Sequence, residues 1–180
     1  TLYNVRGGSV ITAPSHKTGT QWGYVFESCI VDGNEASNDG RTKLGRPWHN
    51  APIVVFMNTT MKINIAPEGW TDMGGFPIIF GEYNSMDANG NPIDLSGRKT
   101  EYSGSDEQGV TKPAKAVLTA EEAAAYTYSA VTDGSDNWNP KALFEIVAKP
   151  VNVTYTNEGT LSWNTVDYAI CYVICRNNEV

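Results

Sequence analysis

Short strand-like runs, spaced by the length of one solenoid coil, constrain the fold of this chain most strongly. Four runs are rich in β-branched, aromatic and apolar residues: Val10-Ile11-Thr12, Tyr24 to Val31, Ile53 to Met57, and Pro77 to Tyr83. Val25 and Val54 lie 29 positions apart, and Val54 and Ile78 lie 24 apart, which is typical of a solenoid coil. Because no amphipathic helix separates the runs, a doubly wound α/β sheet is disfavoured. The pattern predicts an all-β fold in which parallel strands stack coil upon coil.

Charge and apolar patterning exclude several classes of partner. The chain carries 13 Lys and Arg against 20 Asp and Glu, for a net charge of −7. It has no basic run, so nucleic acid is not an expected partner. No apolar stretch reaches the length of a membrane span. Thr1 opens the chain without an initiator Met or a signal peptide, which indicates either processing or a fragment.

The three cysteines are predicted to be reduced and buried. Cys171 and Cys175 are four apart in a strand-like run, so both point to one face and are separated along it. That separation disfavours a disulfide between them. Neither they nor Cys29 has the Cys/His spacing of a zinc site, so no metal is expected. Regular alternation from Val25 to Val31 would place Cys29 in an internal stack.

Two local signals concern a turn and a helix. The segment from Asp87 to Asp94 superficially resembles a calcium loop, but Pro92 stands where Gly is wanted and Arg98 where a bidentate Glu is wanted. The segment is therefore predicted to be a hairpin tip at Asn89-Gly90. Thr119-Ala120-Glu121-Glu122 reads as a capping box followed by alanines, which predicts one short helix.

The character of the chain changes after Lys149-Pro150. Three strands are predicted in Val151 to Tyr155, Thr160 to Trp163 and Ala169 to Cys175. They resemble the opening strands of a fibronectin-III-like β-sandwich, which needs about seven strands and would therefore be incomplete. The predicted organisation is one domain over 1–148 and the beginning of a sandwich over 149–180.

One constellation points to chemistry: Leu44-Gly45-Arg46-Pro47-Trp48, followed by Gly69-Trp70-Thr71-Asp72-Met73 and Phe80-Gly81-Glu82-Tyr83. Pro47 biases Arg46 toward an extended backbone. A guanidinium that can grip a carboxylate, next to a broad indole, suits a site for an acidic sugar polymer. The alternative is a structural turn, in which Arg46 pairs with an Asp and Trp48 fills the core.

These motifs, in this order, resemble the C-terminal half of the pectin methylesterases (pectinesterases, carbohydrate esterase family 8). The segments Ile11-Thr12-Ala13-Pro14 and Gln21 to Ile30 also resemble strands that precede LGRPW in that family. The similarity covers about residues 1–145, and the order of the motifs makes it specific. It implies a right-handed parallel β-helix, partial here, that acts as a monomer without a cofactor. It also implies a secreted or periplasmic location.

The resemblance implies hydrolysis of the C6 methyl ester of galacturonate in pectin, with release of methanol. In the family one Asp attacks the carbonyl, a second Asp protonates the leaving methanol, and a Gln stabilises the oxyanion. The Arg of LGRPW orients the nucleophilic Asp, and the Trp packs on the sugar. Arg46 is accordingly the expected catalytic residue, and Trp48 and Met73 are expected to bind substrate. For Met73 a core-filling role is the alternative.

The family motifs Q-D-T-L and D-F-I-F-G, which carry the Gln and the two Asp residues, do not occur in the chain. Ser15-His16 is no triad, because no G-x-S-x-G elbow exists, and both histidines are expected at the surface. The chain is therefore predicted to supply the Arg and Trp part of the site and to lack the catalytic Asp pair. The resemblance implies methyl-esterified homogalacturonan as the partner, and an acidic surface, which repels free carboxylates, is compatible with it. The alternative function is a non-catalytic carbohydrate-binding or structural β-solenoid.

Overall fold

A computed structural model describes residues 1–143, 149–167, 169 and 171–174. The residues form two compact units, Thr1–Val131 and Thr132–Val180. The strands are β1 Leu2–Asn4, β2 Val10–Thr12, β3 Tyr24–Glu27, β4 Ile30–Gly33, β5 Lys43–Gly45, β6 Ile53–Met57, β7 Thr60–Met61, β8 Ile79–Tyr83, β9 Met86–Asp87, β10 Glu101–Ser103, β11 Thr111–Pro113, β12 Lys115–Val117, β13 Thr154–Tyr155 and β14 Leu161–Ser162. The helices are α1 Ala120–Ala124 and α2 Tyr128–Thr132, with 3-10 turns at Glu35–Ser37 and Pro140–Leu143.

Three parallel sheets build the first unit. One has the order β1-β4-β7-β9, a second has the order β12-β8-β6-β3, and β2 pairs with β5 in a third. A bridge between Gly45 and Trp70 extends the third sheet into the next coil. The chain visits the three sheets in the same order in each coil, and every strand pairing within them is parallel. This arrangement confirms the predicted all-β, right-handed parallel β-helix.

The register of the coils differs slightly from the spacing read in the sequence. Val25 pairs with Val55, and Val54 pairs with Phe80. The coils are therefore 30 and 26 residues long at these positions, one or two residues more than the apolar runs suggested. A run of apolar residues marks the position of a strand. The lengths of the loops decide which residue of one coil pairs with which residue of the next.

Strand β6 is buried on both faces of its sheet. Phe26 and Phe56 point into the coil, where their rings stack with centroids 4.4 Å apart. The interior core consists of Val31, Leu44, Val54, Phe56, Met61, Ile63, Trp70, Phe76, Phe80 and Tyr102. The outer face carries a second cluster, Ile53, Val55, Met57, Leu118, Ala123 and Tyr126. Burial on both sides explains why Ile53 to Met57 is a continuous apolar run instead of an alternating one.

The first of two short helices covers part of this outer face through Ala123. The capping box is confirmed: the Glu122 amide donates to Thr119 Oγ1 at 3.2 Å, and the Thr119 amide donates to Glu122 Oε2 at 2.8 Å. The sequence predicted a single helix, whereas α2 follows as a second one. The amide of Tyr128, at the start of α2, donates to Glu27 Oε2 at 2.7 Å. That partner lies 101 positions away, so no local sequence signal could reveal it.

The prediction that the cysteines are buried is wrong for Cys29 and Cys171. Ser28 adopts a left-handed backbone, with φ of 52°, and splits the predicted Tyr24 to Val31 run into β3 and β4. The alternation that would have placed Cys29 in an internal stack is therefore interrupted, and Cys29 is only half-buried. Cys171 is exposed. The remaining cysteine, Cys175, lies outside the described residues.

Ser28, Asn58 and Asn84 occupy the same left-handed turn in three successive coils, each with φ of 52°. Asn84 Nδ2 donates to Asn58 Oδ1 at 2.8 Å. Asparagine tolerates this backbone conformation better than serine. We expect Ser28→Asn to extend the ladder by one hydrogen bond and to raise the free energy of unfolding by about 0.5–1.5 kcal/mol. Urea denaturation measures the change. Ser28→Ala is the control, and an Asn variant no more stable than the Ala variant would contradict the ladder.

The hairpin tip predicted at Asn89-Gly90 is confirmed. Asp87 Oδ1 accepts the amides of Asn89 and Asn91, both at 2.8 Å, and Gly90 has φ of 81°. A bridge between Met86 and Pro92 is antiparallel. The carboxylate that would have served a calcium ion thus holds the turn itself.

Two of the three strands predicted after Lys149 are present in the second unit. Strands β13 and β14 pair antiparallel, with Thr154 opposite Ser162. In the third predicted run, residues 169 and 171–174 form no strand, and residues 170 and 175 lie outside the described part. The β-sandwich and the division into 1–148 and 149–180 remain predictions.

Candidate active site

The loop that carries the LGRPW motif is held by the coil that precedes it. Strand β5 ends at Gly45, and the Arg46 amide then donates to the Thr12 carbonyl at 3.0 Å. The Trp48 amide donates to the Pro14 carbonyl, also at 3.0 Å. These bonds hold the loop against the preceding coil, with Arg46 and Trp48 exposed on either side of the buried Pro47.

The coil that follows holds the same loop through two glycines. The amides of Gly74 and Gly75 both donate to the Pro47 carbonyl at 2.9 Å. A Cβ atom on Gly74 would lie 2.2 Å from the Trp48 carbonyl oxygen and 2.9 Å from His49 Nδ1. A side chain at position 74 would therefore displace the loop, so this close approach requires glycine.

Trp48 and Met73 come together at the surface. Trp48 is 51% exposed and Met73 is 37% exposed. Both line an open depression with His49, Gly74 and Ser105. A core role is therefore wrong for Trp48 and for Met73. The tryptophan that does fill the core is Trp70, which is fully buried and packs on Phe80 with ring centroids 4.7 Å apart.

Arg46 is exposed at the surface of the coil. Among residues 1–143, 149–167, 169 and 171–174, no Asp or Glu forms an ion pair with it. The alternative of a structural Arg–Asp pair is therefore wrong within the described residues. Arg46 is not among the residues that line the depression, but it lies two positions from Trp48 in the same loop. Its guanidinium is available to a carboxylate from elsewhere.

The aspartates of the coils are committed to other contacts. Ion pairs join Asp32 to Lys62, Asp39 to Arg41 and Asp72 to Lys99. Asp106 is hydrogen-bonded to His49, while Asp87 and Asp94 accept backbone amides in turns. Asp72 Oδ1 also accepts the Ser103 amide at 3.0 Å, which fixes the segment that presents Met73. None of these carboxylates forms an ion pair with Arg46.

Sequence reasoning missed a histidine–aspartate pair at the depression. His49 Nδ1 lies 2.8 Å from Asp106 Oδ1, and the Asn50 amide donates to Asp106 Oδ2 at 3.2 Å. The hydrogen bond with His49 and that with the Asn50 amide hold the pKa of Asp106 below its ordinary value, against a smaller opposing effect of desolvation. His49 adjoins LGRPW, but Asp106 lies 57 positions later, so their pairing left no local signal.

The two histidines have different environments. His49 is exposed, as expected. His16 is half-buried, so the surface prediction is wrong for it. Its Nδ1 accepts the Ile53 amide at 3.1 Å, and its ring packs edge-on against Tyr24. Burial lowers the pKa of His16, which favours a neutral imidazole with a structural role.

A buried ion pair supports the site from inside the coil. In the register of β6 and β8, Glu82 lies next to Phe56 and therefore points into the apolar interior. Arg98 Nε donates to Glu82 Oε1 at 2.5 Å, and both side chains are almost completely buried. Arg98 Nη1 also donates to the Pro67 carbonyl at 2.9 Å. This second bond anchors the turn that leads to Trp70 and onward to Met73.

Comparison with known proteins identifies the family. A family model described as pectinesterase matches residues 5–134, so the chain belongs to the pectinesterase family, whose members are carboxylic ester hydrolases. The chain is 35% identical over 92 residues to a probable pectinesterase A from Aspergillus niger, covering 49% of this chain and 28% of that protein. It is 39% identical over 66 residues to probable pectinesterase 8 from Arabidopsis thaliana, covering 34% of this chain and 16% of that protein. The chain thus spans less than a third of the length of these relatives.

Solved structures give the same kind of match. The pectin methylesterase from Aspergillus niger in deglycosylated form is 31% identical, with a TM-score of 0.46, covering 54% of this chain and 33% of that one. A partly deglycosylated form of that enzyme is 24% identical, with a TM-score of 0.49, covering 77% and 42%. A pectin methylesterase in complex with a hexasaccharide is 20% identical, with a TM-score of 0.42, covering 77% and 44%. No helix in the described part of this chain is long and apolar enough to cross a bilayer.

Proposed function

We propose that the protein containing this chain hydrolyses the C6 methyl ester of galacturonate in pectin and releases methanol. The observation that carries the proposal is the exposed Arg46, without a carboxylate partner among the described residues, two positions from an exposed Trp48. An unpartnered guanidinium suits the orientation of a catalytic carboxylate. Trp48 and Met73 offer apolar surface to the face of a sugar ring. Membership in the pectinesterase family supports the same chemistry.

The proposed reaction has two steps. An Asp carboxylate attacks the C6 carbonyl, a C–O bond forms to the enzyme, and the methoxy group leaves with a proton from a second carboxyl group. Water, deprotonated by that second group, then attacks the acyl-enzyme and restores the first carboxylate. Arg46 would favour the ionised form of the nucleophile and fix its orientation.

The Asp pair of this mechanism is proposed to come from outside the 180 residues. Neither of the family's Asp-bearing motifs occurs in the sequence, and the aspartates of the coils hold turns, ion pairs or His49. Arg46, Trp48 and Met73 would then complete a site that another segment begins.

Methyl-esterified homogalacturonan is the proposed partner, because a chain with net charge −7 repels free polygalacturonate more than its methyl ester. We also propose a monomer that acts outside the cytoplasm, in the medium or the periplasm. A non-catalytic carbohydrate-binding or structural β-solenoid is the second candidate, and the missing Asp motifs favour it.

Methanol release from methylated pectin distinguishes these candidates. We expect the full-length protein to release methanol and the folded 180-residue chain to release none, because neither Arg46 nor Trp48 can replace a nucleophile. Circular dichroism of the isolated chain serves as the control for folding. Turnover by the isolated chain would refute the outside location of the Asp pair. An inactive full-length protein that still binds the polymer would favour the non-catalytic candidate.

Trp48→Ala should weaken substrate binding with little effect on stability. The indole is half exposed, so its removal leaves no interior cavity, whereas loss of stacking area should raise KM roughly tenfold. Trp70→Ala is the matched control, because the same truncation inside the core should cost about 3–5 kcal/mol. Thermal melting and KM are measured for both variants. A large fall in Tm for Trp48→Ala with unchanged KM would contradict the substrate role.

A further inference from the structure

We propose that His49 is a further substrate-binding residue, oriented by Asp106 so that its Nε2 atom accepts a hydrogen bond from a hydroxyl of the sugar that packs on Trp48. The nature of the ligand rests on the proposed function, whereas the orientation of the ring rests on the geometry of this chain alone.

Asp106 fixes the protonation pattern of the His49 ring. An ionised carboxylate only accepts hydrogen bonds, so the contact between Asp106 Oδ1 and His49 Nδ1, 2.8 Å long, places the proton on Nδ1. In a neutral imidazole, Nε2 then carries a lone pair and acts as an acceptor. The hydrogen bond with His49 holds the pKa of Asp106 below its ordinary value, which favours the ionised carboxylate.

The Asp106 carboxylate also fixes where the ring lies. The second carboxylate oxygen of Asp106 accepts the Asn50 amide at 3.2 Å. The backbone amide of Asp106 donates to the Gly74 carbonyl at 3.1 Å. Asn50 has a left-handed backbone, with φ of 63°, which turns the chain back toward Asp106. Asp106 therefore joins the loop that bears Trp48 to the coil that bears Met73.

His49 is one of the residues that line the depression. Trp48 and Met73 also line it, and the imidazole and indole centroids are 5.9 Å apart. Half of the His49 side chain is exposed, and its Nε2 has no hydrogen-bond partner among the described residues. A sugar that packs on the indole would bring ring hydroxyls within reach of this acceptor.

The other histidine of the chain provides an internal reference for the tautomer. His16 Nδ1 accepts the Ile53 amide, so a neutral His16 must carry its proton on Nε2. The intact protein is labelled with nitrogen-15 in its histidines and studied at a pH where the imidazole rings are neutral. We expect the NMR spectrum to show Nδ1–H for His49 and Nε2–H for His16. The His49→Asn spectrum identifies the His49 signals. Asp106→Ala should shift His49 toward the Nε2–H form, and an Nε2–H tautomer in the wild type would overturn the proposed orientation.

The acceptor role is tested by binding of fully methyl-esterified hexagalacturonate to the intact protein. His49→Asn can still donate to Asp106 but lacks an acceptor at the Nε2 position, so affinity should fall about fivefold to tenfold, the loss expected for one hydrogen bond. His49→Gln, which can present an oxygen near that position, should recover part of the loss. Glu107→Gln is the control, because Glu107 lies in the same loop but pairs with Lys112, and it should bind like the wild type.

The outcomes separate the two proposals. A wild-type protein that binds the ester, with His49→Asn binding equally well, would overturn the role of His49 and leave the proposed function standing. A wild-type protein that does not bind the ester would refute the proposed substrate class and the sugar contact together. The Nδ1–H tautomer would then still report whether Asp106 orients the ring.

Discussion

Arg46→Lys in the full-length protein is expected to lower kcat roughly 30- to 1,000-fold while the fold stays intact. This corresponds to about 2–4 kcal/mol of lost transition-state stabilisation from a preorganised electrostatic partner. Lysine supplies the positive charge but not the planar fork that fixes a carboxylate in one orientation. Stability should hardly change, because the guanidinium makes no ion pair with any described residue.

Steady-state kinetics on methylated pectin and thermal melting measure the two quantities. Arg41→Lys is the matched control, since Arg41 is also exposed and pairs with Asp39 on the coil surface, where no catalytic role is proposed. Wild-type kcat in a folded Arg46→Lys protein would show that Arg46 takes no part in catalysis.

Arg98→Met is expected to lower the free energy of unfolding by about 3–5 kcal/mol. Glu82 lies in the coil interior beside Phe56, and without Arg98 its charge would remain buried and unpaired. The Pro67 carbonyl would also lose its donor. Urea denaturation measures the loss. Because Arg98 anchors the turn before Trp70, a rise in KM should accompany it.

The double variant Glu82→Gln/Arg98→Met is the control for this prediction. It removes the uncompensated charge and should be more stable than the single variant, because truncating one partner of a buried pair costs more than removing both charges. A single variant that loses less than about 1 kcal/mol would contradict the structural importance of the pair.

Local patterns predicted the architecture well, because each coil of a solenoid contacts only its neighbours. The apolar run Ile53–Met57 is a strand with the bounds read from the sequence. The Thr119 capping box starts a helix through contacts three residues apart. The tip at Gly90 likewise depends on the Asp87 carboxylate, which accepts amides two and four positions away. Local chemistry suffices where both partners lie within one turn.

Predictions that needed long-range information failed. Nothing in the run Tyr24 to Val31 marks Ser28 as a left-handed turn, since Asn58 and Asn84, which occupy the same turn, belong to later coils. Helix α2 was not predicted for the same reason, because its first amide donates a hydrogen bond to a carboxylate of β3, which is distant in the sequence. The burial predicted for Cys29 assumed an unbroken alternation, which the turn at Ser28 interrupts.

The sequence by itself determined the parallel coil fold and the family, and it identified Arg46, Trp48 and Met73 as the residues to examine. Only the tertiary structure decided that Trp48 faces outward and Trp70 inward, because the stacking of coils sets the burial of two residues of the same type. It also brought Asp106 to His49 across 57 positions and Arg98 to Glu82 in the coil interior. Burial and such long-range contacts depend on the register between coils, which the lengths of the loops fix and which no single motif encodes.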